Sequence, residues 1–389
     1  MSLPPLVAPA GDLSMDEVRR YSRHLIIPDV GMDGQKRLKN ARVLCVGAGG
    51  LGSPALMYLA AAGVGCIGLV DDDVVDVSNL QRQIMHSEST KGVLKVESAK
   101  ERLLGLHPAL KVETFPVRFD PDTFESINFD AWDVVVDGTD NIPTRYFIDD
   151  VCRLYGKPWV YGSIFQFEGQ VSVFNHENGP VYRDLFPVPP PTEAIPSCAE
   201  AGVFGVLPGV IGSLQATEVI KIIIGLGEVL RGSLLVYNGL DTTFRHLRFE
   251  PSDERPDVSD MDEARQLFNQ ACGPTRTAND RDLVQEAVAE TMFNQITATQ
   301  VREKRDAGWD FMLIDARSPG EYDQARIKGN DGNIPHDAIL YHLDELPRDK
   351  DIVLHCQAGM RSEMAIFALL KEGFDGSRLY NLQIGRAHV

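Results

Sequence analysis

The sequence predicts an α/β protein: a Rossmann-like, mostly parallel sheet in a large first domain, followed by a small second α/β domain. Three observations carry this. An apolar run at 42–46 passes through the glycine-rich turn Gly47-Ala48-Gly49-Gly50-Leu51-Gly52 into a small-residue helical stretch at 54–62, then into a second apolar run at 66–70, which reads as β-α-β. A helical pattern at 95–106 and strands at 112–115 and 133–136 continue the alternation, as a parallel sheet covered by helices requires. Near the end, short buried strands at 312–314 and 352–354 flank further helical stretches, and the second of them runs into Cys356-Gln357-Ala358-Gly359-Met360-Arg361 and a helix over 362–370.

Between these landmarks the sequence gives strand signals at 158–161, 170–175, 233–237 and 243–249 and a helix at 212–224. The first domain therefore spans 1–250. Residues 251–291 are rich in Asp, Glu, Arg, Ala and Asn, the composition of a linker or of weakly packed helices, and the second domain spans 292–383.

A chain of 389 residues with 43% hydrophobic content has length for two or three domains and apolar material for more than one core. Its net charge of −18 and pI near 4.9 speak against a general nucleic-acid binder, which needs surplus Lys and Arg to displace counterions from phosphate. Residues 1–12 carry no basic segment followed by a long apolar one, so no secretory signal is expected. The most apolar stretch, 201–226, carries Gln215, Glu218 and Lys221 and is broken by Pro208 and several glycines, which argues against a membrane span. A cytoplasmic location is the expectation. Cys45, Cys66, Cys152, Cys198, Cys272 and Cys356 include no C-x-x-C pair, which fits reduced, mostly packing thiols better than disulfides or zinc.

A glycine turn between a buried strand and a helix lets backbone N–H groups approach phosphate, and Gly47, Gly49, Gly50 and Gly52 supply that turn. Asp71 closes the second strand about 20 residues on, where a carboxylate can accept ribose hydroxyls. These features alone fit a dinucleotide dehydrogenase equally well. Fixed cations distinguish the two, because attack on an α-phosphate builds charge that Arg82 and Lys95 could stabilise, whereas hydride transfer has no need of them. Asp140 follows the strand at 133–136, at the sheet's carboxyl edge, where a hard Mg²⁺ bridging phosphates would be held.

These residues resemble the MoeB/ThiF family, the ubiquitin-activating-enzyme-like adenylyltransferases that act on small ubiquitin-fold sulfur carriers. The resemblance covers residues 15–249 and rests on Arg20-Tyr21-Ser22-Arg23, the glycine turn, Asp71-Asp72-Asp73, Ser78-Asn79-Leu80-Gln81-Arg82-Gln83, Lys95-Val96-Glu97-Ser98-Ala99, Thr139-Asp140-Asn141 and Pro196-Ser197-Cys198-Ala199-Glu200. It implies that ATP and Mg²⁺ are used, with Gly50, Asp71, Asp73, Ser78, Asn79, Leu80, Gln81, Arg82, Lys95, Asp140 and Asn141 around the nucleotide. It also implies a homodimer in which Arg23 reaches the phosphates held by the partner subunit, although Arg20 and Arg23 are equally spaced for an ordinary solvated helix face. Arg145 is read as a partner for Asp149 or Asp150. Cys198 is either a small packing residue or the thiol that receives the activated carboxyl group. Many members bind a structural zinc through two C-x-x-C pairs. Here Val181 and Asp184 stand at the first pair and nothing near 246–256 supplies the second, so no zinc is expected and the segment should hold its shape by packing alone.

In the second domain, five backbone N–H groups after Cys356 and the start of a helix would surround its sulfur and stabilise an anionic persulfide. Asp315-Ala316-Arg317-Ser318-Pro319-Gly320-Glu321-Tyr322 upstream resembles the rhodanese signature, with Asp315 and Arg317 as braces and His355 as a structural neighbour. Cysteine-dependent phosphatases have five residues between Cys and Arg; here there are four, a tighter ring that suits one transferable sulfur. A rhodanese would continue past Leu382-Gln383 with a Gly-Gly turn and a last helix. Residues 384–389 instead match one reading frame of a common sequencing adapter and are expected to be non-native.

Together the resemblances imply adenylylation of the C-terminal glycine of a small carrier with a Gly-Gly tail, then persulfide sulfur transfer from Cys356 to give a thiocarboxylate, with a separate sulfur donor loading Cys356. A carrier of the molybdopterin-synthase small-subunit type is expected, with thiamine, cysteine or tRNA-thiolation carriers as alternatives. Outside this chemistry stand a non-sulfur, tRNA-modifying adenylating enzyme, which has no use for Cys356, and a binding module that holds ATP without turnover.

Overall fold

The computed structural model describes residues 3–190, 202–252, 255–272, 293–356 and 359–383. It divides into two units, Met1–Thr275 and Arg276–Val389.

In the first unit three short helices, α1 (Met15–Arg20), α2 (Ser22–Leu25) and α3 (Gly31–Asn40), lead into β1 (Arg42–Val46). The alternation then runs α4 (Gly52–Ala62), β2 (Cys66–Val70), α5 (Lys95–Leu106), β3 (Lys111–Phe115), β4 (Val134–Asp137), α6 (Ile142–Leu154) and β5 (Trp159–Phe165). The remainder holds β6 (Glu168–Phe174), α7 (Tyr182–Leu185), α8 (Leu207–Ile224), β7 (Ser233–Asn238), β8 (Thr243–Arg248) and α9 (Met261–Ala271). Local signals set the ends: Ser14 and Glu17 form a capping box on α1, and Asn141 caps α6 ahead of Pro143 in its first turn.

Among the described residues the sheet runs β3-β2-β1-β4-β5-β6-β7-β8. β1 to β5 pair in parallel, and β5 to β8 form an antiparallel meander. Every residue of β2 and β4 is buried, as expected of strands covered on both faces. One face packs Leu38, Leu56, Leu59, Val96, Leu103 and Ile222 from α3, α4, α5 and α8; the other is aromatic, with Phe119, Phe124, Trp132, Phe147, Trp159 and Phe174. Helix α8 has the length and composition to cross a membrane, but most of it is buried inside this unit, against α4 and strands β5 and β6. The strand order reverses between β1 and β4, which opens a crevice at their carboxyl ends.

Within 251–291, α9 packs on α6, where Phe268 lies against Phe147 with ring centroids 5.5 Å apart and Arg265 Nη2 donates to Pro121 O over 2.8 Å. Of the two readings of this composition, linker or weakly packed helices, residues 261–271 take the helical one, with only the inner face apolar. The pairing expected of Arg145 is corrected: it binds Asp137, while Asp150 holds Arg183 in a buried, two-bond ion pair at 2.7 Å and Asp149 accepts the Tyr182 N–H at 2.8 Å.

Around Val181 and Asp184 packing is not alone. The buried Asp184 carboxylate accepts the N–H of Val181 (2.7 Å) and of Ser252 (2.8 Å) and pairs with Arg255 at 2.6 Å, so one side chain ties 181–184 to 252–255. Among the described residues no cluster of three or more His, Cys, Asp or Glu could hold a metal ion.

The second unit is a parallel sheet, β11-β10-β12-β13-β9, built from β9 (Asn294–Thr297), α10 (Ala298–Asp306), β10 (Phe311–Asp315), α11 (Pro319–Gln324), β11 (Gly332–Asn333), β12 (Asp351–His355), α12 (Met360–Lys371) and β13 (Leu379–Gln383). Ile314, Leu354, Ile366 and Leu369 fill one face and Leu313, Val353 and Phe311 the other. The central strand β12 ends at His355, immediately before Cys356.

An Asp184→Asn substitution keeps an acceptor for only one of the two N–H groups, which bond opposite carboxylate oxygens, and leaves Arg255 without its counter-charge. It should lower the stability of the first unit by about 1–3 kcal/mol, read as an earlier first transition in calorimetry, with the second unit's transition unmoved.

Candidate functional site

The crevice between β1 and β4 is shaped by backbone. Gly47 has φ +97°, and a Cβ on it would stand 2.6 Å from the carbonyl of Gly138; a Cβ on Gly138 would stand 2.4 Å from Gly47 O, and one on Gly52 2.2 Å from the same oxygen. Only residues without side chains allow the turn after β1, the start of α4 and the loop after β4 to meet this closely. The contact sets Asp140, two residues beyond Gly138 and exposed, beside the glycine turn. Among the described residues the N–H groups of Gly49 and Gly50 donate to no protein acceptor, which leaves them for an anion at the start of α4.

The Asp71 carboxylate holds the turn from the end of β2, accepting the Ala48 N–H at 2.8 Å and the Asp73 N–H at 2.9 Å. Burial pushes its pKa up, against nearby Lys95 and these two donors. Lys95 opens α5 and is buried, with Nζ 2.8 Å from the exposed Asp73 carboxylate. Asp73 is thus the counter-ion of Lys95 in the structure. Ser78 spends its N–H and hydroxyl on Asp76, at 2.8 and 2.6 Å, in the tight turn that also contains Asn79 and leads through Leu80 and Gln81 to Arg82. Arg82 Cγ is 3.7 Å, and Gln83 Nε2 3.4 Å, from the positions that side chains on Gly50 and Gly49 would take. Asn141 spends its side-chain oxygen on capping α6 through Thr144 N–H (2.9 Å).

The structure therefore gathers Gly47, Gly49, Gly50, Gly52, Asp71, Asp73, Arg82, Lys95 and Asp140 around one crevice. Arg23 sits exposed on α2, while its neighbour Tyr21 is buried with its hydroxyl 3.2 Å from His107 Nε2. Cys198 lies outside the described residues. The exposed carboxylate of Asp140 suits Mg²⁺, which keeps most of its shell as water and phosphate oxygen and needs one or two protein carboxylates.

Four further side chains support the crevice. Asp137 is fully buried, accepts Thr139 N–H (2.9 Å) and pairs with Arg145 at 3.0 Å. Burial pushes its pKa up to about 6, opposed by the Arg145 guanidinium. Arg145 also donates to Thr139 O (2.7 Å) and Gly162 O (3.0 Å), fixing the loop that carries Asp140. Gln215 donates to Asp137 O at 2.7 Å from α8. Buried His86 contacts Ala48 O at 2.9 Å. For Asp137, at the end of a valine run, and Gln215, in an apolar helix, a polar residue among apolar ones was the available sequence signal; His86 lies in a polar segment that offered none.

In the second unit Cys356 is 2% exposed and its sulfur accepts the N–H of Gly359 at 3.1 Å. Gly359 has φ +89° and precedes α12, which starts two residues earlier than expected. Gln357 and Ala358 lie outside the described residues, as do residues 384–389, so two of the five N–H groups expected to ring the sulfur are not placed. Arg361 makes a two-bond pair with Glu321 at 2.7 and 2.8 Å; this pair holds the Glu321 pKa at about 2 and raises that of Arg361, whose guanidinium also interacts with Cys356. Ser362 Oγ lies 3.5 Å from Cys356 Sγ and 2.7 Å from Asn381 Oδ1. Asp315 and Arg317 form the expected brace, with Arg317 bonding both carboxylate oxygens and Ala325 O. His355 is buried, 3.2 Å from Asn330 Oδ1, and burial lowers its pKa. Glu321, inside the signature already singled out, was the readable clue to the loop's ion pair; Ser362 and Asn381 offered none.

The sequence profile of the ThiF family matches residues 21–273, and that of the rhodanese-like domain matches 297–385. The chain is 46% identical to the probable adenylyltransferase/sulfurtransferase MoeZ of Mycobacterium tuberculosis over 379 residues, covering 96% of this chain and 93% of that one. It is 38% identical to the adenylyltransferase and sulfurtransferase MOCS3 of Anopheles gambiae over 93% of this chain and 80% of that protein. A sulfur carrier protein adenylyltransferase of Thermus thermophilus is 49% identical over 66% of this chain and 97% of its own length. Among solved structures, E. coli MccB with MccA-N7isoASN shares the fold at a TM-score of 0.57 and 21% identity, over 64% of this chain and 76% of that one.

A Gly138→Ala variant forces a methyl group into Gly47 O. Its dissociation constant for ATP, measured calorimetrically, should rise by at least about tenfold, the equivalent of about 1.4 kcal/mol, while sulfur transfer from thiosulfate to cyanide by the second unit is unchanged.

Proposed function

The chain belongs to the ThiF family and joins to it a rhodanese-like domain, and from that premise we propose that it adenylylates the C-terminal glycine of a small ubiquitin-fold sulfur carrier and then converts it to a thiocarboxylate through a persulfide on Cys356. Adenylyltransferase and sulfurtransferase activities are those of its two-domain relatives. The observation that carries the reading is the glycine turn with Arg82 and Lys95 beside it and the loop bearing Asp140 drawn against it, on the same chain as a buried cysteine that directly follows the central strand of a parallel sheet.

In the first step the carrier carboxylate attacks the α-phosphorus of ATP, and pyrophosphate leaves. Arg82 and Lys95 stabilise the charge that builds on the phosphoryl oxygens, with Lys95 exchanging Asp73 for the nucleotide. Asp140 would hold Mg²⁺, which supplies charge neutralisation at the phosphates. Arg23 would come from a second copy of the chain, whose docking is supported by exposed Ile26, Ile27 and Met32 near it in sequence. Exposed Phe165, Phe167, Phe204 and Leu240 on the antiparallel end of the sheet suit the apolar face of a carrier.

In the second step the terminal sulfur of the Cys356 persulfide attacks the acyl-adenylate carbonyl and AMP leaves. Two thiol equivalents of an external reductant then cleave the acyl disulfide, which frees the thiocarboxylate and the Cys356 thiol and leaves the reductant as its disulfide. Cys198 is the candidate for an intermediate acceptor. The carrier is taken to be of the molybdopterin-synthase small-subunit type, with a separate persulfide or thiosulfate donor.

Mass spectrometry of carrier incubated with ATP, Mg²⁺, thiosulfate and a reductant should show conversion of the terminal carboxylate to thiocarboxylate. Cys356→Ala should retain AMP transfer to the carrier and lose sulfur incorporation; undiminished thiocarboxylate from that variant would remove Cys356 from the route.

A further inference from the structure

His86 is a polar side chain buried beside the glycine turn, and the direction of one of its two hydrogen bonds is fixed by backbone. Its Nε2 is 2.9 Å from Ala48 O, which can only accept, so Nε2 carries the proton. Its Nδ1 is then an acceptor, 2.9 Å from Ser98 Oγ on α5. Ser98 Oγ lies 3.0 Å from Thr90 Oγ1, and that oxygen accepts the N–H of Ser87 at 3.2 Å. The Thr90 hydroxyl proton goes to Ser87 O at 3.0 Å, so Thr90 only accepts from Ser98, whose one proton is shared between Thr90 Oγ1 and His86 Nδ1. Burial and, to a lesser degree, nearby Lys95 push the imidazole's pKa down, against the bond to the Ala48 carbonyl.

The far side of the same residue is held by Asp71, which takes the Ala48 N–H at 2.8 Å. Ala48 is thus clamped by a carboxylate from β2 and an imidazole anchored on α5. The next residues are Gly49 and Gly50, whose N–H groups have no protein acceptor among the described residues. Ser98 lies three residues after Lys95, one turn along the same helix, so His86 links the turn that would cradle phosphate to the helix that carries the cation.

We propose that His86 is a positioning residue for the nucleotide: donating to Ala48 O while bound to Ser98, it sets the glycine-turn N–H groups and Lys95 at the spacing one polyphosphate spans. This rests on the adenylylation reading above. His86 makes no contact with substrate and moves no proton in the reaction; its effect is on ATP affinity.

The test compares His86→Leu, which removes both bonds at similar volume, with His86→Gln, whose amide can still donate to Ala48 O. In full-length protein, carrier-dependent exchange of pyrophosphate into ATP should show KM for ATP raised by about tenfold or more in His86→Leu, with KM for the carrier within about twofold and thermal unfolding still cooperative. His86→Gln should recover to within about threefold of the parent. If His86→Leu does not fold, Ser98→Ala, which removes the anchor and leaves the donor, takes its place and should raise KM for ATP by a smaller factor of about three to five. A folded His86→Leu protein with unchanged KM for ATP, or a folded His86→Gln as impaired as His86→Leu, overturns the proposal, as does unchanged KM in Ser98→Ala when that variant stands in. Absence of exchange in the parent protein would refute adenylylation alone, because calorimetric titration of the same variants with ATP still reads the role of His86.

Discussion

The first unit depends on a contact that no side chain could occupy: the turn after β1, the first residue of α4 and the loop after β4 meet at Gly47, Gly52 and Gly138. The mutual approach is what turns the reversal of strand order into a crevice, since it draws the loop bearing Asp140 against a turn with undonated N–H groups. The polar groups buried beneath it serve that contact. Asp71 and His86 hold Ala48 from two sides, and Asp137, Arg145 and Gln215 hold the loop after β4. Each of these groups costs free energy to bury, and each finds its partners in backbone whose position matters to the crevice.

The second unit solves a related electrostatic problem with different parts. A sulfur that must carry negative charge sits at the carboxyl end of the central strand, takes a backbone N–H from Gly359 and faces the first turn of α12. Its arginine is not loose, because Glu321 binds both of its outer nitrogens. That pair fixes the guanidinium at one edge of the loop and offsets part of its charge, while the guanidinium still interacts with Cys356 beside the Gly359 N–H and Ser362. Both units thus use oriented N–H groups to receive an anion, phosphate in one reading and persulfide in the other.

How much of this was legible in the sequence follows from periodicity and from which residues pack. The strands at β1 and β2 and helix α5 stood out because apolar runs and flanking glycine or polar residues mark their ends. The outer strands β9 and β11 are short and polar, so nothing separates them from loops until β10 and β13 pair with them. Helix α9 could not be told from linker because its apolar residues are few and face inward onto α6. Arg82, Lys95 and Asp140 were visible through their charge in a glycine-rich context. Arg145 was assigned neighbouring acids, Asp149 and Asp150, whereas the fold turns it toward Asp137, since helix spacing alone does not say which face meets the sheet. The Asp184 tie was invisible because its partners are backbone N–H groups and an arginine some seventy residues away.

The central claim is that phosphate chemistry in this crevice activates a carrier's terminal carboxylate. Exchange of radiolabelled pyrophosphate into ATP, with Mg²⁺ present and with the carrier added or withheld, tests it most directly. The account predicts exchange only when a carrier with an intact Gly-Gly end is present. Exchange without any carrier, or none with every Gly-Gly-tailed protein of the host, would contradict it.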